Sequence, residues 1–96
     1  MKLTKGIVDR KVALELAPVY VDFAEGNFDK WEQVDKKFGK LKVKDRAITY
    51  HEGKFILVKV SHIFIGFPGA DGPVVQVSNG EYSWRVDGDK YAYPIK

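Results

Sequence analysis

The chain contains no cysteine, only one methionine and only two histidines among its 96 residues. A protein without thiols has no disulfide framework and no cysteine nucleophile, and it lacks the ligands of zinc fingers and iron–sulfur clusters. Two histidines and one methionine also leave few soft ligands for a transition metal. We therefore expect neither a metal nor a cofactor.

Long apolar runs are missing as well. The longest, Phe55 to Phe67, spans 13 residues and includes Lys59, Ser61 and His62, whereas a membrane-spanning helix needs about 20 apolar residues. The segment from Met1 to Arg10 has no apolar core of the kind found in secretory signals. The sequence therefore predicts a soluble, cytoplasmic protein that does not contact a membrane.

Size and charge limit the remaining function classes. The 96 residues, 45% of them hydrophobic, indicate one globular domain over residues 1–96 rather than a disordered chain. The 16 basic and 13 acidic residues give a formal charge of +3 and a pI near 9.1. That balance excludes an acidic mimic of nucleic acid, and it allows an anionic partner without requiring one.

The first forty residues predict helices. The clearest begins at Asn27 or Asp29, and its apolar residues recur at spacings of 3, 3 and 4, which places them on one face as a cover for a sheet: Phe28, Trp31, Val34 and Phe38. A shorter helix is predicted between Pro18, at its first position, and Gly26, after its end. The segment from Gly6 to Leu16 has helical spacing, although part of it also alternates as a strand would.

From Lys40 onwards the hydrophobic period changes to two, which indicates an antiparallel sheet. A two-residue turn at Glu52–Gly53 pairs Tyr50 with Phe55 and Ile48 with Leu57. Turns at Asn79–Gly80 and Asp87–Gly88 would pair Val77 with Tyr82 and Trp84 with Tyr91. The predicted fold class is α+β, with N-terminal helices packed on an antiparallel sheet of about five or six strands that ends in a three-stranded meander.

A basic run offers one candidate binding site. Lys40, Lys42, Lys44 and Arg46 would project from one face of a strand at intervals of about 6.6–6.8 Å. With Arg85 and Lys90 they are candidate ligands for an anionic partner, either nucleic acid or a nucleotide. The competing interpretation is a solvated edge strand whose lysines prevent edge-to-edge aggregation.

The two histidines give little support to catalysis. His51 falls at a turn and should be solvated, and His62 shares the strand parity of Val58 and Val60, which predicts a packed side chain. No serine triad and no pair of carboxylates falls on one face of a predicted element. We therefore expect no enzyme and no catalytic residue, and a small histidine-dependent enzyme stays as an alternative.

The apolar content of the sheet predicts self-association. The run from Phe55 to Phe67 is apolar on both faces, and a chain this short has few elements with which to cover it. A second copy could cover one face, because symmetric dimers are the commonest oligomers. A homo-oligomer is therefore predicted, with Ile63, Ile65 and Phe67 as contact residues.

These observations favour a small non-enzymatic binding or inhibitor protein that acts through a protein surface or through its own oligomer interface. The first alternative is an anionic-ligand binder that uses the basic strand, and the second is the histidine-dependent enzyme. A compact, cysteine-free chain of this kind also fits an accessory protein of a virus or mobile element, although no residue demonstrates it.

Overall fold

The structure, a computed structural model, describes residues 5–66, 68–69, 72–86 and 91–95. It confirms the α+β fold class, with three helices near the N-terminus followed by an antiparallel sheet. The elements, in chain order, are β1 (Ile7–Val8), α1 (Arg10–Leu16), α2 (Pro18–Ala24), a 3₁₀ turn (Phe28–Lys30), α3 (Trp31–Phe38), β2 (Arg46–His51), β3 (Lys54–Phe64), β4 (Val74–Ser78), β5 (Ser83–Val86) and β6 (Tyr93–Pro94).

The first two helices have clear local causes. α1 begins after Asp9, whose Oδ1 accepts a hydrogen bond from the Val12 amide at 2.9 Å. α2 begins at Pro18 as predicted, because its fixed φ suits the first helical position. An exposed bidentate ion pair between Arg10 and Glu25 connects the start of α1 to the end of α2.

The third predicted helix is divided into the 3₁₀ turn and α3. Val34 and Phe38 are buried as predicted, whereas Phe28 and Trp31 are 71% and 50% exposed. Phe28 lies in the tighter 3₁₀ turn and contacts the edge of the Phe23 ring, with the ring centroids 5.7 Å apart. Only two of the four apolar residues predicted to cover the sheet, Val34 and Phe38, are therefore buried.

The sheet has the strand order β5-β4-β3-β2-β6, with β1 paired to β3. Strands β2 to β5 form a meander, in which each strand pairs with the next one along the chain. The β2–β3 hairpin has the predicted register, with Tyr50 opposite Phe55. Glu52 and Gly53 form its turn with φ of 50° and 79°, the two positive values of a type I′ turn.

The predicted register of the next hairpin is wrong by two residues. Val77 pairs with Trp84 rather than with Tyr82. The Asn79 Oδ1 atom accepts hydrogen bonds from the amides of Glu81 and Tyr82, at 2.9 and 2.7 Å, and so closes a loop longer than two residues. A shift of two residues keeps every side chain on its predicted face, because the strand period is also two.

The last strand also pairs differently from the prediction. Tyr93 lies opposite Ile48 of β2, so β6 occupies the far edge of the sheet instead of extending the hairpin beside β5. The Tyr91 carbonyl accepts a hydrogen bond from Thr49 Oγ1 at 2.8 Å, and the Tyr91 ring packs against Phe38. These contacts hold the C-terminal segment against β2 and α3. The predicted turn at residues 87–88 lies outside the described residues.

The predicted basic strand does not exist, because β2 begins only at Arg46. Residues 40–45 form a loop closed by Asp45, whose Oδ2 accepts a hydrogen bond from the Lys42 amide at 2.9 Å. Lys44 has a φ of 79°, which no regular strand contains. Lys40, Lys42 and Lys44 are therefore exposed loop residues and do not share one strand face.

Candidate functional site at the open sheet face

The strand register divides the sheet into an inner and an outer face, since directly paired residues project to the same side. The inner face is formed by residues that are almost entirely buried, among them Ala47, Ile56, Val58, Val60, Val77 and Val86. His51 and Trp84 also belong to this face, and their ring centroids lie 5.2 Å apart. Strands β2 and β5, which carry these two rings, would be about 14 Å apart in a flat sheet. Because the rings are in contact, the sheet must curl around its inner face, and its outer face is therefore convex.

One end of the outer face is covered by α2. The Tyr20 ring lies 6.5 Å from that of Phe55 and 6.1 Å from that of Tyr93, both on the outer face. The Tyr20 hydroxyl accepts a hydrogen bond from the Tyr50 amide at 2.7 Å. This contact anchors the helix over the hairpin end of β2 and β3, whereas most of the described residues at the other end of the outer face are exposed or half-buried.

We call this other half the open sheet face. It comprises three rows across the strands. The first row contains Arg46, Lys59, Ser78 and Ser83, each paired with the next. The second row contains His62, Gln76 and Arg85, and the third contains Phe64 and Val74, of which Val74 is buried. Among the described residues of β2 to β5, no acidic side chain belongs to the outer face.

A β-bulge places His62 on the open sheet face. The pairing of β3 with β4 shifts between Val60 and His62, which makes Ser61 the extra residue. Because the bulge reverses the parity of the strand, His62 becomes exposed and Ile63 turns towards the inner face. The prediction that His62 is packed with Val60 is therefore wrong.

Three planar side chains lie together on this face. The ring centroids of His62 and Phe64 are 4.3 Å apart. The guanidinium carbon of Arg85 lies 5.4 Å from the centroid of the Phe64 ring, within the range of a cation–π contact. Phe64 is half-buried, whereas His62 and Arg85 are exposed. We call these three residues the planar cluster.

The structure brings together some of the sequence-predicted ligands and separates others. Arg46 and Arg85 both lie on the open sheet face. The Lys44 amide donates a hydrogen bond to the Val60 carbonyl at 2.8 Å, which holds this loop residue beside β3. Lys40 and Lys42 lie in the loop that leads to it, and Lys90 lies outside the described residues.

Lys59, His62 and Phe64 were not identified from the sequence as members of this site. A sequence signal for Lys59 exists, because it interrupts an apolar run and the correctly predicted β2–β3 register places it opposite Arg46. His62 gave no such signal, because the bulge at Ser61 involves neither a glycine nor a proline. Phe64 lies on the open sheet face for the same reason, because it follows the bulge on β3.

His51 occupies a different environment from the predicted solvated turn. Its side chain is only 10% exposed and stacks on Trp84. Neither ring nitrogen has a hydrogen-bond partner among the residues that the structure describes, and the indole nitrogen of Trp84 has none either. The Glu52 Oε1 atom lies 3.8 Å from His51 Nε2. A general base must reach substrate, and this imidazole is enclosed at the inner face.

Two features are absent from the described residues. No group of three or more histidine, aspartate or glutamate residues within the described ranges is placed to hold a metal ion. Within the same ranges, no helix has the length and apolar character needed to cross a membrane.

The residues predicted to form an oligomer contact have different environments. Ile63 is paired with Val75 and is half-buried against the core, so only part of its side chain is available for such a contact. Ile65 is 90% exposed, and Phe67 lies outside the described residues. Strand β3 is already buried at its first half by the curled sheet on one side and by Tyr20 on the other.

A second exposed surface lies on the helical side. Phe28 and Trp31 are exposed, and we call them the aromatic patch. The Trp31 Nε1 donates a hydrogen bond to the Tyr91 hydroxyl at 2.9 Å, and that hydroxyl donates to Asp35 Oδ1 at 3.1 Å. These bonds fix the indole ring while half of its surface remains in contact with solvent.

Comparisons with known proteins do not assign a family. No protein-family model, curated protein or solved structure matches the chain at a significant level. The chemistry of the open sheet face and of the aromatic patch is therefore the basis on which a function can be proposed.

Proposed function

We propose that the chain is a small non-enzymatic binding protein and that its open sheet face binds an anionic ligand, nucleic acid in particular. One observation carries the proposal. Arg46, Lys59 and Arg85 come from three different strands and belong to one convex face, on which the described strand residues include no carboxylate. Such a surface attracts phosphate groups, and electrostatic contacts of this kind supply most of non-specific nucleic-acid affinity.

The distribution of charge supports a binding role over simple solvation. A surface that serves only solubility usually mixes charges of both signs. On the open sheet face the described strand residues include three cations, Arg46, Lys59 and Arg85, and no carboxylate.

The proposal is tested with two lysine variants of the same strand. Lys59 belongs to the open sheet face, whereas Lys54 is an exposed residue of opposite parity at the hairpin end of β3. Both Lys59→Gln and Lys54→Gln remove one positive charge. Binding of a fluorescent oligothymidylate, measured by anisotropy at low salt, should weaken severalfold for Lys59→Gln and remain near wild type for Lys54→Gln.

The salt dependence provides an independent check of the same interaction. If the face neutralises three or four phosphates of a single strand, the logarithm of the association constant should fall linearly with the logarithm of the salt concentration, with a slope of about −2 to −3. Equal binding by the two variants, or no binding by the wild-type protein at low salt, would contradict the proposal.

A protein partner is the second candidate, because the aromatic patch is exposed and its indole is held in place. Asp29 and Glu32 flank the patch with exposed carboxylates. This chemistry fits a partner that presents apolar and basic side chains. Phe28→Asp should abolish co-purification of such a partner while leaving oligothymidylate binding unchanged, and retention of the partner by this variant would exclude the patch.

A further inference from the structure

We infer that the open sheet face takes single-stranded nucleic acid, with bases stacked on the planar cluster and phosphates on Arg46 and Lys59. The inference rests on the proposed function and specifies its ligand. It depends on two further observations, the packing of the three planar groups and the convex shape of the face.

The planar cluster offers the surfaces on which unpaired bases stack. The ring centroids of His62 and Phe64, both on β3, are 4.3 Å apart, and the guanidinium carbon of Arg85, on β5, lies 5.4 Å from the Phe64 centroid. Exposed bases in single strands stack on aromatic rings and on guanidinium planes, whereas bases in a duplex present no free π-face. A ligand that uses these residues must therefore have unpaired bases.

The arrangement of charge and rings fits one strand that crosses the sheet. Arg46 and Lys59 are directly paired at one end of the open sheet face. His62 lies in the next row of the face, about 7 Å away along the strand, because the bulge at Ser61 adds a residue without adding a row. A strand that crosses the face would place its phosphates at the paired cations and its bases over the planar cluster.

The shape of the face disfavours duplex recognition. The outer face is the convex side of the sheet, as the contact between His51 and Trp84 on the inner face shows. The open sheet face is also at least about 14 Å wide over four strands. The major groove of a duplex is about 12 Å wide and admits a single helix or a two-stranded ribbon.

The test compares three probes of matched sequence: single-stranded DNA, single-stranded RNA and the DNA duplex. At equal salt, the wild-type protein should bind the single strands more tightly than the duplex. Phe64→Leu keeps an apolar side chain but removes the ring, and it should weaken single-strand binding by about tenfold. Phe28→Leu removes an exposed ring from the aromatic patch and should leave binding unchanged.

His62→Ala provides a second variant at an exposed position, and it should weaken single-strand binding in the same direction as Phe64→Leu. Circular dichroism of each variant verifies that the fold is retained. Equal affinity for DNA and RNA would indicate recognition of phosphates and bases, and a preference for RNA would indicate contacts to the 2′-hydroxyl. Both of these results support the inference.

Two results separate the failure of this inference from the failure of the proposed function. If Lys59→Gln weakens binding but the duplex binds as tightly as the single strands, or both ring variants bind as wild type, the stacking inference is overturned and the anionic site remains. If the wild-type protein binds none of the three probes at low salt, both are overturned.

Discussion

Two buried tyrosines connect the helices to the sheet through hydrogen bonds. The Tyr91 carbonyl accepts hydrogen bonds from Thr49 Oγ1 and from the Tyr20 hydroxyl, at 2.8 and 3.3 Å. The Tyr20 hydroxyl in turn accepts a hydrogen bond from the Tyr50 amide. Because these polar groups are buried, each one needs a partner, and the loss of one hydroxyl leaves others unsatisfied. Tyr20 therefore holds α2 over one half of the outer face, and the position of α2 sets the boundary of the open sheet face.

The ionisation of Tyr20 should affect stability at high pH. Burial raises the pKa of Tyr20 to about 12, from an ordinary value of about 10. The folded state thus holds its proton longer than the unfolded state, so this contribution is fully present below pH 10 and is lost between about pH 10 and 12. The loss should amount to about 2–3 kcal/mol of unfolding free energy.

Urea unfolding of wild type and of Tyr20→Phe measures this effect. The variant should lose about 1–3 kcal/mol at neutral pH, because the Tyr50 amide loses its acceptor. The stability difference between the two proteins should then shrink or reverse as the pH rises from 10 to 12. A difference that stays constant over this range would show that Tyr20 does not titrate with a raised pKa.

At the scale of elements, the two hairpins show what local sequence can and cannot determine. The β2–β3 register was predicted correctly because two constraints favour the same pairing. The two-residue turn sets the register, and a slip by one residue would expose the buried side chains of Ile48 and Phe55. The register of β4 and β5 was predicted wrongly, since a shift of two residues leaves the apolar face unchanged. There the side chain of Asn79, through two hydrogen bonds to amides, determines the loop length.

Glu52 occupies a backbone position that favours other residues. Its φ of 50° is left-handed, and the first position of a type I′ turn prefers asparagine, aspartate or glycine. Glu52→Asn should therefore stabilise the protein by about 0.5–1 kcal/mol, a typical gain for an improved turn residue. Thermal unfolding measures the change, with Lys40→Asn as an exposed loop control. A destabilised Glu52→Asn variant would mean that the Glu52 side chain makes a contact that outweighs its backbone strain.

The element scale also explains why the candidate site was only partly predictable. The bulge at Ser61 and the loop at residues 40–45 both change which side chains share a face. Neither change follows from hydrophobic periodicity, because the bulge has no glycine signal and the loop continues the alternation of lysine with apolar residues. Arg46 and Arg85 were identified as cations, but their assembly on one face required the strand order.

At the scale of the whole molecule, one chain covers most of its own apolar surface. The radius of gyration is 12.3 Å, close to the value of about 12.5 Å expected for a compact domain of this length. The first half of β3 is buried on both sides without a second copy, which removes one argument for self-association. The fold class was predictable because helical and strand periods occupy separate parts of the sequence.

Self-association stays a prediction, and among the described contact candidates it now depends on Ile65. Its side chain is 90% exposed just after β3. Sedimentation equilibrium at micromolar concentrations should show a dimer for wild type and a monomer for Ile65→Asp, because a buried charge would destabilise the contact. Val43, another exposed apolar residue, provides the control variant Val43→Asp. A monomeric wild-type protein would contradict the prediction.

Binding of nucleic acid to the open sheet face is tested by amide chemical shifts recorded during titration with a short single-stranded oligonucleotide. The largest changes should fall on the amides of Lys59, His62 and Arg85, and they should saturate together. Changes confined to α3 and the aromatic patch, or no change at an oligonucleotide excess in low salt, would contradict it.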